Sequence, residues 1–207
     1  MSERQSLQGF EYHVFGKLNE GSRPILAFHK TGGDENELVP LARIADPDAP
    51  IVGLRGQVVE DGKLRFFKRL GTGQLDEADL ERRADNLNAF ILEFVANYRV
   101  KPPVAIGLSN GANIIVAALY RGAPPLSAAL LLRPAVPFKE ARPVPISGTR
   151  VFVVGGMSDE VVTPAETMKL TNALRAAGAH VDLSMVAAGH RPSVGDEAAI
   201  RGWLKRI

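Results

Sequence analysis

The sequence predicts an α/β fold, a mostly parallel sheet covered by helices on both faces. Three observations carry that expectation. Short apolar runs recur at Ile25 to Phe28, Ile51 to Leu54, Val104 to Leu108, Ala128 to Leu132, Val151 to Val154 and Val181 to Val186, and most read as buried strands. Between several of them lie segments whose apolar residues return with helical period, and such alternation places helices on both faces of a parallel sheet. The chain has 207 residues, 45% of them hydrophobic, enough to bury one large core, so a single domain over residues 1–207 is expected.

In chain order, Glu11 to Phe15, ahead of the turn at Asn19-Glu20-Gly21, reads as an antiparallel strand on the sheet edge. Asp34 with Glu37, and Asp76 with Asp79, are helix-start signals of the weaker kind. The second opens a segment in which Leu80, Ala84, Leu87, Ile91, Phe94, Val95 and Tyr98 share one stripe. Ala112 to Tyr120 is a further helical run directly after an apolar strand. Pro134 to Pro145 reads as a surface loop between two strands that could help wall a pocket. Thr163-Pro164-Ala165-Glu166 is a capping box with proline at the first helical position, and Gly178 closes that helix. Ile200, Trp203, Leu204 and Ile207 form a last stripe. No repeat or low-complexity tract interrupts this order.

Composition narrows the function. Lys plus Arg number 25 against 23 Asp plus Glu, a formal balance of +2, so no strong field draws the chain toward nucleic acid. With no cysteine, disulfides, thiolate metal sites and a Cys nucleophile are all excluded. The segment Met1 to Gly9 is polar and unlike a secretory signal, and no apolar run reaches the roughly 18 residues of a membrane span. A cytoplasmic protein acting on a small molecule is expected, and a homodimer is compatible with the sequence.

Gly107-Leu108-Ser109-Asn110-Gly111 matches G-x-S-x-G between the strand Val104 to Leu108 and the helical run Ala112 to Tyr120. A strand, sharp turn and helix in that order expose a strained serine above a sheet, and crowding admits only glycine on either side. The pentapeptide alone is modest evidence; its context strengthens it. A serine hydroxyl needs a base and an orienting carboxylate, in the chain order Ser, Asp or Glu, His. Asp159, in Gly155-Gly156-Met157-Ser158-Asp159, follows one strand, and His190, in Ala187-Ala188-Gly189-His190, follows the next, both at the carboxyl edge. Glu160 is a rival to Asp159. Asp182 inside a strand, His180 at a helix-to-strand turn and His13 on the edge strand fit less well.

Phe28-His29-Lys30-Thr31-Gly32-Gly33-Asp34-Glu35 follows the first core strand, where a second backbone N–H donor for an oxyanion is required. This segment resembles the His-Gly-Thr-Gly-Gly-Asp-Glu block of the small phospholipase/carboxylesterase family of α/β-hydrolases, relatives of acyl-protein thioesterases. Phe66-Phe67-Lys68-Arg69 with Asp76-Glu77-Ala78-Asp79-Leu80, the block from Gly107 to Asn113, and Leu132-Arg133-Pro134 resemble further blocks of that family in the same order. The likeness covers nearly the whole chain. It implies an α/β-hydrolase fold without a large lid domain, no cofactor and no metal. It also implies a triad of Ser109, Asp159 and His190, oxyanion donors in the backbone amides of Thr31 and Asn110, and an ester or thioester of a small or medium acyl group as substrate.

Two departures from the family pattern stand out: His-Gly has become His29-Lys30, and Arg191 replaces the small residue often found after the histidine. If the glycine's conformation aims the Thr31 amide, lysine there weakens the oxyanion hole and leaves a slow enzyme or a non-catalytic binder on the same fold. Alternatively, Lys30 and Arg191 place positive charge at the pocket rim and favour an acidic substrate, or both point to solvent. Arg133 is either an anion contact or a structural clamp. Phe66 and Phe67 either line an acyl pocket or split, one buried and one exposed, in plain packing. An acyltransferase or perhydrolase would use the same acyl-enzyme.

Overall fold

The computed structural model describes residues 4–71, 74–122, 124–140 and 144–203. The strands, in chain order, are β1 (Gln5–Leu7), β2 (Phe10–Phe15), β3 (Ile25–Phe28), β4 (Ile51–Leu54), β5 (Val58–Glu60), β6 (Lys63–Arg65), β7 (Arg69–Gly71), β8 (Gln74–Leu75), β9 (Val104–Leu108), β10 (Ala128–Leu132), β11 (Arg150–Gly156) and β12 (His180–Val186). The helices are α1 (Val39–Ala45), α2 (Glu77–Tyr98), α3 (Asn110–Gly122), α4 (Pro164–Ala176) and α5 (Val194–Trp203).

Eight strands form the central sheet in the order β1-β2-β4-β3-β9-β10-β11-β12. From β4 to β12 all neighbours run parallel, while β2 pairs antiparallel with β4 and β1 with β2. Side chains alternate across each strand, so one face of the sheet receives Leu26, Phe28, Val52 and Leu54 and packs on α2, α3 and α4. The other receives Ile25, Ala27 and Ile51 and packs on α1 and α5. With both faces covered, β3, β4, β9 and β10 are buried throughout, which is why their sequences are unbroken apolar runs.

Local chemistry fixes the helix ends. The Asp76 side chain accepts from the Asp79 N–H at 3.0 Å and caps α2. Thr163 and Glu166 complete the capping box of α4. Asp34 does not cap α1, whose N-cap is Leu38; its carboxylate instead accepts from the Asn36 N–H at 2.9 Å in a turn.

The strand at residues 10–15 is not the edge. β1 lies outside it, joined by a two-residue turn in which Gln8 (φ 50°) and Gly9 (φ 77°) are both left-handed, the geometry that matches strand twist. Three residues are too few to show a period. The strands of the ribbons β5–β6 and β7–β8, two or three residues each, are likewise too short for a period. Leu204, Ile207 and positions 141–143 of the Pro134 to Pro145 loop lie outside the described residues. No helix among the described residues is long and apolar enough to cross a membrane.

Candidate active site

Ser109 sits at the junction of β9 and α3 with φ 51°, a left-handed backbone that costs a non-glycine residue about 1–2 kcal/mol. Its N–H donates to Leu132 O at 2.8 Å, anchoring the turn to β10. The flanking glycines are needed for space. A Cβ on Gly107 would approach Gly111 O to 2.6 Å, and one on Gly111 would approach Phe28 O to 2.1 Å.

His190 and Asp159 arrive from the loops after β12 and β11. His190 Nε2 lies 2.9 Å from Ser109 Oγ, and Nδ1 lies 2.9 Å from Asp159 Oδ2. A carboxylate only accepts, so Nδ1 carries the hydrogen and Nε2 faces the serine as an acceptor. Burial pushes the Asp159 carboxyl up. The Val162 N–H, the His190 ring and the Val161 N–H outweigh it and hold Asp159 below the usual carboxylate range. Glu160 is exposed, Asp182 accepts from Trp203 Nε1 at 2.7 Å, His180 is exposed at the start of β12, and the His13 ring packs against Phe15. The structure thus brings Ser109, His190 and Asp159 into one hydrogen-bonded chain and leaves the rivals elsewhere.

Thr31, Asn110, Ser109 and His190 line a common cleft of about 340 Å³. Asn110 opens α3, where first-turn N–H groups lack intrahelical acceptors. Its side-chain Oδ1 accepts from the Phe66 N–H at 2.8 Å, and its buried Nδ2 has no partner among the described residues. Lys30 keeps an ordinary negative φ, so the glycine of the family pattern is not required by conformation. The Lys30 N–H donates to Glu37 at 2.9 Å and its ammonium pairs with the same carboxylate. The loop is held from below by His29, whose Nε2 accepts from the Gly56 N–H at 2.9 Å.

The remaining expected contacts divide. Lys30 lines the cleft; Arg191 is exposed and does not, although it lies close enough to act on Lys30, whose pKa is lowered by burial and then by that neighbour. Phe66 and Phe67 are both fully buried, and only Phe67 faces the cleft; Phe66 packs on Phe28 and His29. Arg133 does not line the cleft. It is fully buried, donates to Gly189 O at 2.8 Å, and forms a two-pronged pair with the buried Asp196 at 2.6 and 2.9 Å. Asp196 also accepts from the Ser193 N–H, so this clamp fixes the loop that carries His190.

Asp196 and Arg65 stand in no sequence motif, and Arg69 is marked only as part of the block Phe66-Phe67-Lys68-Arg69. Asp196 lies in the unremarkable run Gly195-Asp196-Glu197, and Arg65 and Arg69 belong to ribbons too short to place. Among the described residues no group of three His, Asp or Glu side chains could hold a metal ion.

No family model matches the chain. Over 195 residues it is 35% identical to MhqD of Bacillus subtilis (strain 168), provisionally named a hydrolase, covering 93% of this chain and 97% of that protein. A carboxylesterase from Bacillus cereus superposes with TM-score 0.89 at 34% identity, over 95% of this chain and 94% of that one. A carboxylesterase from Mesorhizobium loti superposes with TM-score 0.91 at 27% identity, over 98% of both chains.

Proposed function

Because this chain belongs to the small phospholipase/carboxylesterase family and has the α/β-hydrolase fold, we propose that it is a serine hydrolase that cleaves a carboxylic ester or thioester through an acyl-enzyme. The observation that carries the reading is the 2.9 Å approach of His190 Nε2 to Ser109 Oγ with Asp159 behind the ring. His190 takes the hydroxyl proton as Ser109 attacks the carbonyl carbon. Asp159 holds the Nδ1–H tautomer and stabilises the imidazolium without being protonated itself. The backbone N–H groups of Thr31 and Asn110 receive the oxyanion. His190 then protonates the departing alcohol or thiol, and water, activated by the same ring, releases the acid.

The cleft fits a small or medium acyl group: about 340 Å³, with Phe67, Leu75 and Val161 supplying its apolar wall. Lys30 is compatible with turnover, since its backbone is unstrained and its N–H is satisfied by Glu37. The reading extends to a single domain acting in the cytoplasm, for which the cysteine-free composition is the support.

Turnover of p-nitrophenyl acetate by wild type, Ser109→Ala and His190→Ala tests the proposal. Both variants should stay folded by circular dichroism and lose on the order of 10⁴-fold or more in kcat. Retention of wild-type turnover by Ser109→Ala would refute it.

A further inference from the structure

Arg65 ends β6 and lines the cleft together with Ser109, yet it is only 5% exposed. A guanidinium so placed is costly unless its donors are matched by acceptors and its charge by a counterion. Two of its nitrogens are matched by neutral oxygens: Nε donates to Phe67 O at 3.2 Å and Nη1 to Thr31 Oγ1 at 3.0 Å. Nη2 has no hydrogen-bond partner among the described residues and is not fully buried, so it stays open to a solute. The nearest carboxylate, Glu60, reaches Nε only at 3.5 Å and is already engaged by Arg69 Nε at 2.7 Å. One carboxylate therefore serves two guanidinium groups.

Apart from the Phe67 ring, whose centroid lies 5.9 Å from the guanidinium carbon of Arg65, the rest of the cleft adds no compensation. Lys30, Arg65 and Arg69 line it, and among the described residues no Asp or Glu does. Lys30 has its own partner in Glu37, and Arg69 is shared between Glu60 and, at 3.8 Å, the exposed Asp61. The least compensated cation is thus the most buried one, bonded to the side chain of Thr31 in the loop assigned to the oxyanion hole.

We infer that the substrate is an anionic ester, one bearing a carboxylate besides the bond to be cleaved, and that the free edge of Arg65 receives that carboxylate beside Ser109. The inference rests on the hydrolase reading above. The carboxylate could sit in the acyl part or in the leaving group, and both place an anion in the same short cleft. Charge-assisted pairing at a nearly buried guanidinium is worth a roughly 10- to 100-fold preference.

Two matched pairs of esters test this: monoethyl succinate against ethyl butyrate for the acyl side, and 3-acetoxybenzoate against phenyl acetate for the leaving side. In wild type, at least one anionic member should exceed its neutral partner by roughly 10-fold or more in kcat/KM, and the responding pair identifies the side. Arg65→Gln should erase that ratio, chiefly through KM, and Arg65→Lys should restore part of it. If Arg65 only positions Thr31, both members of each pair fall together in kcat and the ratio survives, which overturns the inference. Absence of any anionic preference in wild type overturns it without recourse to a variant. Succinate binding by calorimetry, expected for wild type and lost in Arg65→Gln, stands independently of turnover. If none of the four esters, anionic or neutral, shows Ser109-dependent hydrolysis, the hydrolase reading fails while succinate binding still decides the subsite.

Discussion

His29 illustrates how a single side chain sets the geometry of the cleft. It is buried, and burial lowers its pKa, so the ring is neutral. Gly56 N–H can only donate, which makes Nε2 the acceptor; Nδ1 therefore carries the hydrogen and donates to Lys30 O at 2.6 Å. One ring thus joins the end of β4 to the loop that presents Thr31. His29→Ala leaves the buried Gly56 N–H unpaired and should cost about 1–3 kcal/mol of stability in urea unfolding at pH 7.5, with kcat falling more than KM rises. Unchanged stability would show that the ring does not hold the loop. None of this was legible beforehand, because both partners are backbone atoms and Gly56 lies 27 residues away. Ser109 was legible because its constraint is local, a strand, a turn and a helix written within a dozen residues. Arg133 stood between anion contact and clamp, and Asp196, 63 residues away, decides for the clamp.

Between elements, Glu35 ties three segments together. It follows β3, accepts from Arg4 Nη2 and Arg55 Nη1 at 2.7 Å each, and its backbone carbonyl lies where a side chain on Gly53 of β4 would come within 1.8 Å. Burial pushes its carboxyl up, but its own N–H, Arg55 and Arg4 prevail and hold it at about 2, against an ordinary 4.5. The folded state thus binds fewer protons than the unfolded chain between these values. The carboxylate's contribution is complete above about pH 4.5 and is lost as pH falls toward 2. Glu35→Gln should lower stability at pH 7 by at most about 3 kcal/mol, and the difference from wild type should shrink to less than half by about pH 3. A difference independent of pH, read from urea unfolding at both values, would assign the effect to packing instead. Unbroken apolar runs, β3, β4, β9 and β10, and the long helical period of α2 are legible in the sequence. Strands of two or three residues are not, since their pairing is decided by turns and by what lies beside them.

At the scale of the molecule, a run of parallel strands gathers its carboxyl ends along one edge, and the loops leaving β3, β9, β11 and β12 carry Thr31, Ser109, Asp159 and His190 to that edge. The connection from β4 to α2 supplies Arg65, Phe67, Arg69 and Leu75 as the opposite wall, so the cleft is enclosed by short ribbons. Arg133 and Asp196 brace the loop of His190 from beneath the sheet edge. The order Ser, Asp, His and its placement at strand ends could be read from sequence because the fold repeats one geometric rule. The charge of the wall could not, because it depends on which arginines are buried and which carboxylate they share. In the proposed mechanism Ser109 is the nucleophile. The most direct measurement is intact-protein and peptide mass spectrometry after reaction with a fluorophosphonate. One adduct on the peptide bearing Ser109, absent from folded Ser109→Ala, is the predicted result; an adduct on another residue, or equal labelling of the variant, would contradict it.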